Sequence, residues 1–281
     1  MAVRAEARAR AGQVRVARPH VPWLVVGSGW IVALLALPLI GLLYRAGGSG
    51  GLLAALGRPV VLEALRLSAL TSAAALVACV TLGTPLALLL ARQRCPGQRV
   101  VDTLVDLPMV LPPTAAGLAL LLTLGRRGLL GDALGLFGIS LPFTTAAVVV
   151  AQVFVAAPFF IRAARAGFQA VPAEVEDAAA LDGASGLTQL RHVTAPLAWP
   201  SLAAGAVMAW ARALGEFGAT VMFAGNFPGR TQTLPLAIYA ALESDLDAAL
   251  GIAVVLLAAS FAVLLLFRAL LGDRLDRAPG G

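Results

Sequence analysis

Six runs of predominantly apolar residues recur along this chain, and that recurrence limits its fold more than any other feature. They lie at Trp23 to Tyr44, about Leu65 to Ala91, Leu104 to Leu124, Phe143 to Ile161, about Trp199 to Ala224, and Ala248 to Phe267. Each is close to the roughly 20 residues that a helix needs to cross the hydrocarbon core of a bilayer. Inside lipid every backbone N–H and C=O must be satisfied within the element, which leaves helices or closed barrels, and runs of this length fit helices. The fold class expected is all-α, a polytopic membrane protein with six transmembrane helices. Composition agrees: 13% of the residues are charged, against roughly 25% in an ordinary soluble domain. Because the apolar runs span the whole sequence, a soluble domain on a single anchor is excluded.

Charge gives an orientation and removes one function. All 21 basic residues are Arg. A Walker A loop needs a Lys to reach the phosphates, so a standard nucleotide-hydrolysis site is excluded from this polypeptide. Residues 1–22 carry Arg4, Arg8, Arg10, Arg15 and Arg18 ahead of a full-length apolar run, without a small-residue cleavage pattern. They are expected to form a cytoplasmic arm, not a cleaved signal. With the N-terminus inside, these five fall on the cytoplasmic side together with Arg92, Arg94, Arg99, Arg162, Arg165, Arg191, Arg268, Arg274 and Arg277. Arg45, Arg58, Arg126, Arg127 and Arg230 face outward, so fourteen stand against five, the asymmetry of the positive-inside rule. Both termini are then expected in the cytoplasm, the second as a tail over 272–281. Cys79 and Cys95 suggest neither a disulfide framework nor a metal site, and His20 and His192 lack metal-ligand partners at a suitable spacing.

One polar segment, Pro172 to Pro196, interrupts the apolar pattern and falls on the cytoplasmic side. Pro172 suits the first position of a helix, with Glu174, Glu176 and Asp177 in the early turns, where acids favour the positive helix end. Ala178, Ala179 and Ala180 are strong helix formers, and Gly183 suits the left-handed stop. A second short helix is expected from an N-cap at Ser185, with Leu187, Leu190 and Val193 on one face, Arg191 and His192 in its last turn, and Pro196 as the stop. The expectation is two short helices meeting at a glycine corner outside the membrane.

The spacing within this segment is specific. Asp177-Ala178-Ala179, three residues, Gly183, nine residues, then Val193-Thr194-Ala195-Pro196 resembles the EAA signature of ABC importer permeases, E-A-A-x3-G-x9-I-x-L-P. Asp replaces Glu, Val replaces Ile and Ala replaces Leu. The resemblance covers roughly Val60 to Arg268 and implies a type I importer permease domain over 60–271, following the arm and a first helix at 23–44. It implies that the loop 172–196 forms coupling helices seated in a cleft of a cytoplasmic ATPase. Glu174, Glu176, Asp177, Ala178, Ala179, Gly183, Ala184, Val193 and Pro196 would carry that contact. A plain capped pair of interfacial helices is the simpler alternative.

Two further stretches carry chemistry. In Arg212-Ala-Leu-Gly-Glu216-Phe-Gly218-Ala-Thr220, charged residues fall within the expected fifth span. At the bilayer centre each costs about 2.5–3.5 kcal/mol, so such residues usually face the bundle or a water path. Arg212 and Glu216 are four apart on one helical face. Either they line the translocation route together with Thr220, or they form a self-satisfied pair that locks packing, aided by Gly205, Ala209, Gly215 and Gly218. Asp106-Leu-Pro108-Met-Val-Leu-Pro112-Pro113-Thr114 interrupts the third span, and its paired prolines imply a bend against protein or a water-lined cavity. Pro158 is expected to kink the fourth span, with Arg162 and Arg165 as interface anchors.

LPPTAAG and RALGEFGAT resemble the molybdate and sulfate branch of ABC importer permeases. That resemblance implies a homodimer of permeases in the bacterial inner membrane, two ATPase subunits, and an extracytoplasmic oxyanion-binding protein. Membrane lipid would surround the assembly, with no role for nucleic acid. Alternating access would be driven by ATP and Mg2+ on the partner ATPase, with no cofactor on this chain and no reaction of its own. Molybdate is the first substrate implied; sulfate, thiosulfate and tungstate remain open. An ion-driven secondary transporter or channel would need a relay of intramembrane ionisable groups. Apart from Arg66, Asp106, Arg212 and Glu216 the runs are bare, and no inverted repeat is evident. A membrane scaffold without transport is a third reading, disfavoured by the bent third span and the buried pair.

Overall fold

The structure is a computed structural model that describes residues 22–49, 57–92 and 97–275. Most of the Arg-rich arm, Arg94, Cys95 and the last six residues of the tail lie outside the described residues. The chain divides into two compact units, one ending at Arg45 and one beginning at Ala46. Helix α1 (Pro22–Ser49), most of it in the first unit, supplies an apolar stretch, Val26–Gly47, long enough to cross a membrane.

The second unit is helical throughout its described elements. It contains α2 (Pro59–Arg92), α3 (Gln98–Val110), α4 (Pro113–Leu124), α5 (Gly131–Leu136) and α6 (Thr145–Gln169). There follow α7 (Ala173–Leu181), α8 (Gly186–Gln189), a π-helical turn over Leu190–Thr194, α9 (Ala195–Leu214), α10 (Gly218–Ala224), α11 (Leu234–Leu242) and α12 (Leu246–Leu275). Five described helical stretches, α1 among them, are long and apolar enough to cross a membrane, and six if the bent pair α3–α4 counts as one.

The apolar runs locate the spans, and the helices differ from them in ways that polar chemistry explains. The third run is two helices, the second bent by 119° from the first. Neither Pro112 nor Pro113 can donate an amide hydrogen, so the ladder stops at Leu111 and restarts with Pro113 in the first turn. The fourth helix starts at Thr145, capped by the Thr144 hydroxyl accepting from the Ala147 N–H, and passes through Pro158 to Gln169. Phe143 lies outside it, with φ of +62°. The expected single fifth span over 199–224 is instead α9, a break at Gly215 to Phe217, and the short α10. Between α10 and α12 the chain forms α11, and Thr231, Gln232 and Thr233 just ahead of it are buried.

Helix α6 is the centre of the packing, lying against both α2 and α9. In lipid, helices gain little from apolar burial against one another, so close approach of small residues dominates. A Cβ on Gly83 of α2 would stand 2.8 Å from the Phe160 ring. One on Gly167 would stand 2.5 Å from Ser201 Cβ, and one on Gly205 would stand 2.8 Å from Ala163 Cβ. These contacts bury Phe160, Phe168, Ala156, Ala164 and Ala209 in one cluster.

Polar contacts fix the flanking elements. Ser68 and Ser72 on α2 accept hydrogen bonds from the Leu234 N–H at 2.7 Å and from Trp210 Nε1 at 2.9 Å. Arg58 pairs with Asp245 at 2.8 Å, joining the start of α2 to the start of α12.

Candidate functional site: a glycine corner and a broken-helix junction

The polar segment folds as a corner. Pro172 is the N-cap and not the first helical residue; α7 begins one residue later, with Glu174 and Glu176 in its first turn. At its other end Gly183 has φ of +86°. Its N–H bonds to the Ala180 carbonyl, and the Ala184 N–H bonds to the Ala179 carbonyl, both at 3.0 Å. This pair of bonds is the Schellman arrangement, which a glycine at that position forms without Cβ strain. Ser185 caps α8, its hydroxyl accepting from the Thr188 N–H.

The second half of the corner departs from expectation. Pro196 does not stop a helix; it sits in the first turn of α9. The Ala195 N–H reaches back to the Leu190 carbonyl, a wide π-type turn. A proline within a helix removes one donor and crowds the carbonyl four residues back. Widening the preceding turn lets the chain run on, so Gly186–Leu214 is one continuous stretch of 29 residues. The segment is therefore one free helix, α7, and the leading end of a spanning helix.

The corner divides its residues between two faces. Glu174, Asp177, Ala178 and Gly183 are exposed, while Ala179, Ala184 and Val193 are half-buried and Pro196 is exposed. Leu181 and Leu187 flank the glycine with 89% and 76% of their surfaces in the open. Glu176 is different: it turns inward, its Oε1 accepting from Arg92 Nη2 at 2.7 Å and from Thr194 Oγ1 at 2.6 Å.

The second constellation forms where two broken helices abut. Arg212 lies in the last turn of α9, not at the middle of a span, and its Nη1 stands 2.7 Å from Glu216 Oε2. Glu216 is 1% exposed, and its other oxygen accepts from the Ala219 N–H at 2.7 Å. One carboxylate thus neutralises the arginine and satisfies a free amide at the start of α10. A Cβ on Gly218 would stand 2.6 Å from Pro113 Cβ and 3.2 Å from the Thr114 nitrogen. One on Gly117 would stand 2.6 Å from the Ala219 carbonyl oxygen. Two stretches about a hundred residues apart in sequence therefore meet, with Pro113 and Thr114 against Gly218. Pro112, Pro113 and Thr114 are exposed at that edge, whereas Thr220 is buried. Its hydroxyl finds no hydrogen-bond partner among the described residues. Of the small residues expected to aid packing here, Gly205, Ala209 and Gly218 do so; a Cβ on Gly215 would meet only the Ala211 carbonyl, at 3.6 Å.

Some polar residues escaped the sequence reading. Arg162 and Arg165 are not simple interface anchors: they pair with Asp106 and Asp102 of α3, the Arg165 contact at 2.5 Å. The four line a cavity of about 300 Å3 with Gln169. The spacing of the aspartates by four and the arginines by three was visible, but not that the two faces oppose each other. Gln152, in the middle of α6, is buried, and both ends of its amide lack partners among the described residues. A lone glutamine in an apolar run was the signal available. Among the described residues no group of three or more His, Cys, Asp or Glu could hold a metal ion.

Apolar helices of spanning length, one of them broken beside the buried Glu216, define a multi-pass helical membrane protein. Residues 83–279 match the family described as "Binding-protein-dependent transport system inner membrane component". The chain is 42% identical over 243 residues to the molybdenum transport system permease protein ModB of Mycobacterium bovis, covering 86% of this chain and 92% of that one. It is 35% identical over 246 residues to the probable sulfate transport system permease protein cysT of Zygnema circumcarinatum, covering 86% and 85%. Among solved structures it superposes with TM-score 0.71 on a chain of a bacterial alginate ABC transporter in complex with an alginate pentasaccharide-bound periplasmic protein. That chain is 16% identical, with 91% of this chain and 94% of that one covered, a likeness of fold. The chain belongs to the binding-protein-dependent transport system inner membrane component family, and it is a transport subunit, not an enzyme.

Proposed function

We propose that this chain is the permease of an ATP-binding-cassette importer that carries molybdate into the cytoplasm by alternating access. The observation that carries the reading is the Gly183 corner. It presents Asp177, Ala178, Leu181 and Leu187 to solvent at the spacing of the EAA signature, on a chain without lysine. A separate ATPase, holding ATP and Mg2+, docks there, and its closure moves the corner. Two permease copies, two ATPases and an extracytoplasmic oxyanion-binding protein complete the assembly, with both termini of this chain in the cytoplasm. This chain binds no cofactor. Pro112, Pro113, Thr114, Arg212, Glu216 and Thr220 border or gate the route, where the broken helices α3–α4 and α9–α10 meet.

Similarity to the ModB protein supports molybdate over sulfate; tungstate shares its charge and shape and enters by the same route. The test is co-purification and uptake. Gly183→Asp places a side chain on a positive-φ corner and a third acid beside Asp177 and Asp182. ATPase should be lost from the complex and molybdate uptake with it. Retained ATPase and substrate-stimulated hydrolysis would sink the docking assignment. Molybdate uptake that excess sulfate abolishes as readily as excess tungstate does would replace the substrate.

A further inference from the structure

The acidic run at the start of α7 splits into two roles. Adjacent residues on a helix point about 100° apart, so Glu176 and Asp177 face in different directions. Asp177 is exposed beside the Gly183 corner, whereas the Glu176 side chain is 15% exposed and turned toward the membrane helices. Its Oε1 receives two hydrogen bonds, from Arg92 at the last position of α2 and from Thr194 in the π-helical turn that leads into α9. One carboxylate oxygen therefore ties α7 to two long helices at once. The Arg92 contact is a charge-assisted bond, the stronger and more directional kind.

Little else fastens α7 to α2. Beside the contact runs a cleft of about 330 Å3 lined by Leu88, Leu89, Gln189 and Leu190, so the polar bond is not backed by close apolar packing there. Helix α2, by contrast, is well held along its length. Its 34 residues make a helix of about 50 Å at 1.5 Å per residue, continuous through Pro85, which removes one backbone bond between Arg92 and Ser72. Further along the helix, Ser72 receives the Trp210 indole of α9 and Ser68 receives the first amide of α11. Through Trp210, α2 is thus bonded to α9, the helix that ends at the broken junction.

We infer that Glu176 and Arg92 form the mechanical link by which movement of the docked corner is passed to α2, with Thr194 passing the same movement to α9. Glu176 is a positioning residue and does not contact the ATPase. The inference rests on the reading that an ATPase seats on the Gly183 corner, and it separates the outward-facing contact of Asp177 from the inward-facing one of Glu176.

The experiment uses the full complex with its ATPase and binding protein in proteoliposomes, with molybdate uptake and phosphate release measured together. Arg92→Gln should leave the ATPase bound and lower molybdate carried per ATP hydrolysed by about fivefold or more. The exchange Arg92→Glu with Glu176→Arg should recover at least half of the ratio lost in Arg92→Glu alone. A merely structural role would lower assembly, uptake and hydrolysis in step and leave the ratio unmoved, and that result overturns the inference. So does loss of the ATPase from the Arg92→Gln complex, or an exchange no better than Arg92→Glu. Gly183→Asp reads the docking surface separately: ATPase that stays bound there defeats the docking reading, while the ratio in Arg92→Gln still decides this one.

Discussion

Glu216 bridges a gap in the backbone, its carboxylate standing 2.7 Å from the Arg212 guanidinium that ends α9 and 2.7 Å from the Ala219 amide that opens α10. A buried charge is tolerated only when paired and hydrogen-bonded, and here one side chain does both. The break between Leu214 and Gly218 would otherwise leave an arginine and a free amide in an apolar setting.

Glu216→Ala should therefore be destabilising, by about 1–3 kcal/mol, the usual effect of leaving a buried donor without its partner. Glu216→Gln keeps an acceptor for the Ala219 amide and should cost clearly less. Thermal unfolding in detergent measures both; equal losses would show that the cap contributes nothing.

The contact of α4 with α10 depends on the absence of a side chain. Gly117→Ala would set a Cβ 2.6 Å from the Ala219 carbonyl oxygen, and overpacking of this kind costs about 1–3 kcal/mol. Gly135, in α5, has nothing within 4 Å of such an atom, so Gly135→Ala serves as the neutral control. A Gly117→Ala protein that unfolds at the same temperature as this control would contradict the packing described.

The pairs Asp102–Arg165 and Asp106–Arg162 hold the amphipathic α3 against α6. A double-mutant cycle on Asp102→Asn and Arg165→Gln should show a non-additive term of about 0.5–3 kcal/mol, as for residues in direct contact. Additive single effects would mean the pair forms without stabilising the helix contact.

Asp245, in the turn before α12, accepts from the Ala248 N–H and pairs with Arg58. These contacts, the amide first, hold its carboxyl below the ordinary 3.8. A lowered folded-state value means stabilisation that is complete above the ordinary value and disappears as pH falls through the lower one. Comparing unfolding temperatures at about pH 5 and about pH 3 should show a smaller acid-induced drop in Asp245→Asn than in the parent protein. An identical drop would leave the pair without a role in acid stability.

Much of the local architecture was legible because it follows from short-range chemistry. The left-handed Gly183, the Ser185 cap and the interruption at Pro112-Pro113 each follow from what one or two residues permit. The Arg212–Glu216 pair was visible from a spacing of four. Pro196 misled for a physical reason: a proline stops a helix only if the preceding turn keeps its i to i−4 pattern, and here it widens into a π turn. The fifth run misled because hydropathy records burial but not continuity, so α9, its break and α10 read as one helix.

What the sequence determined by itself is the class: apolar length sets the spanning helices, and the spacing around Gly183 sets the corner between the short α7 and the start of the next spanning helix. Tertiary structure alone decided which polar groups meet. Glu176 faces Arg92 and not solvent, Asp102 and Asp106 find Arg165 and Arg162, and Gly218 receives Pro113. Each depends on how the helices are turned about one another, set in the bundle centre by close approach of small residues between α6, α2 and α9, a property that no local stretch of sequence contains.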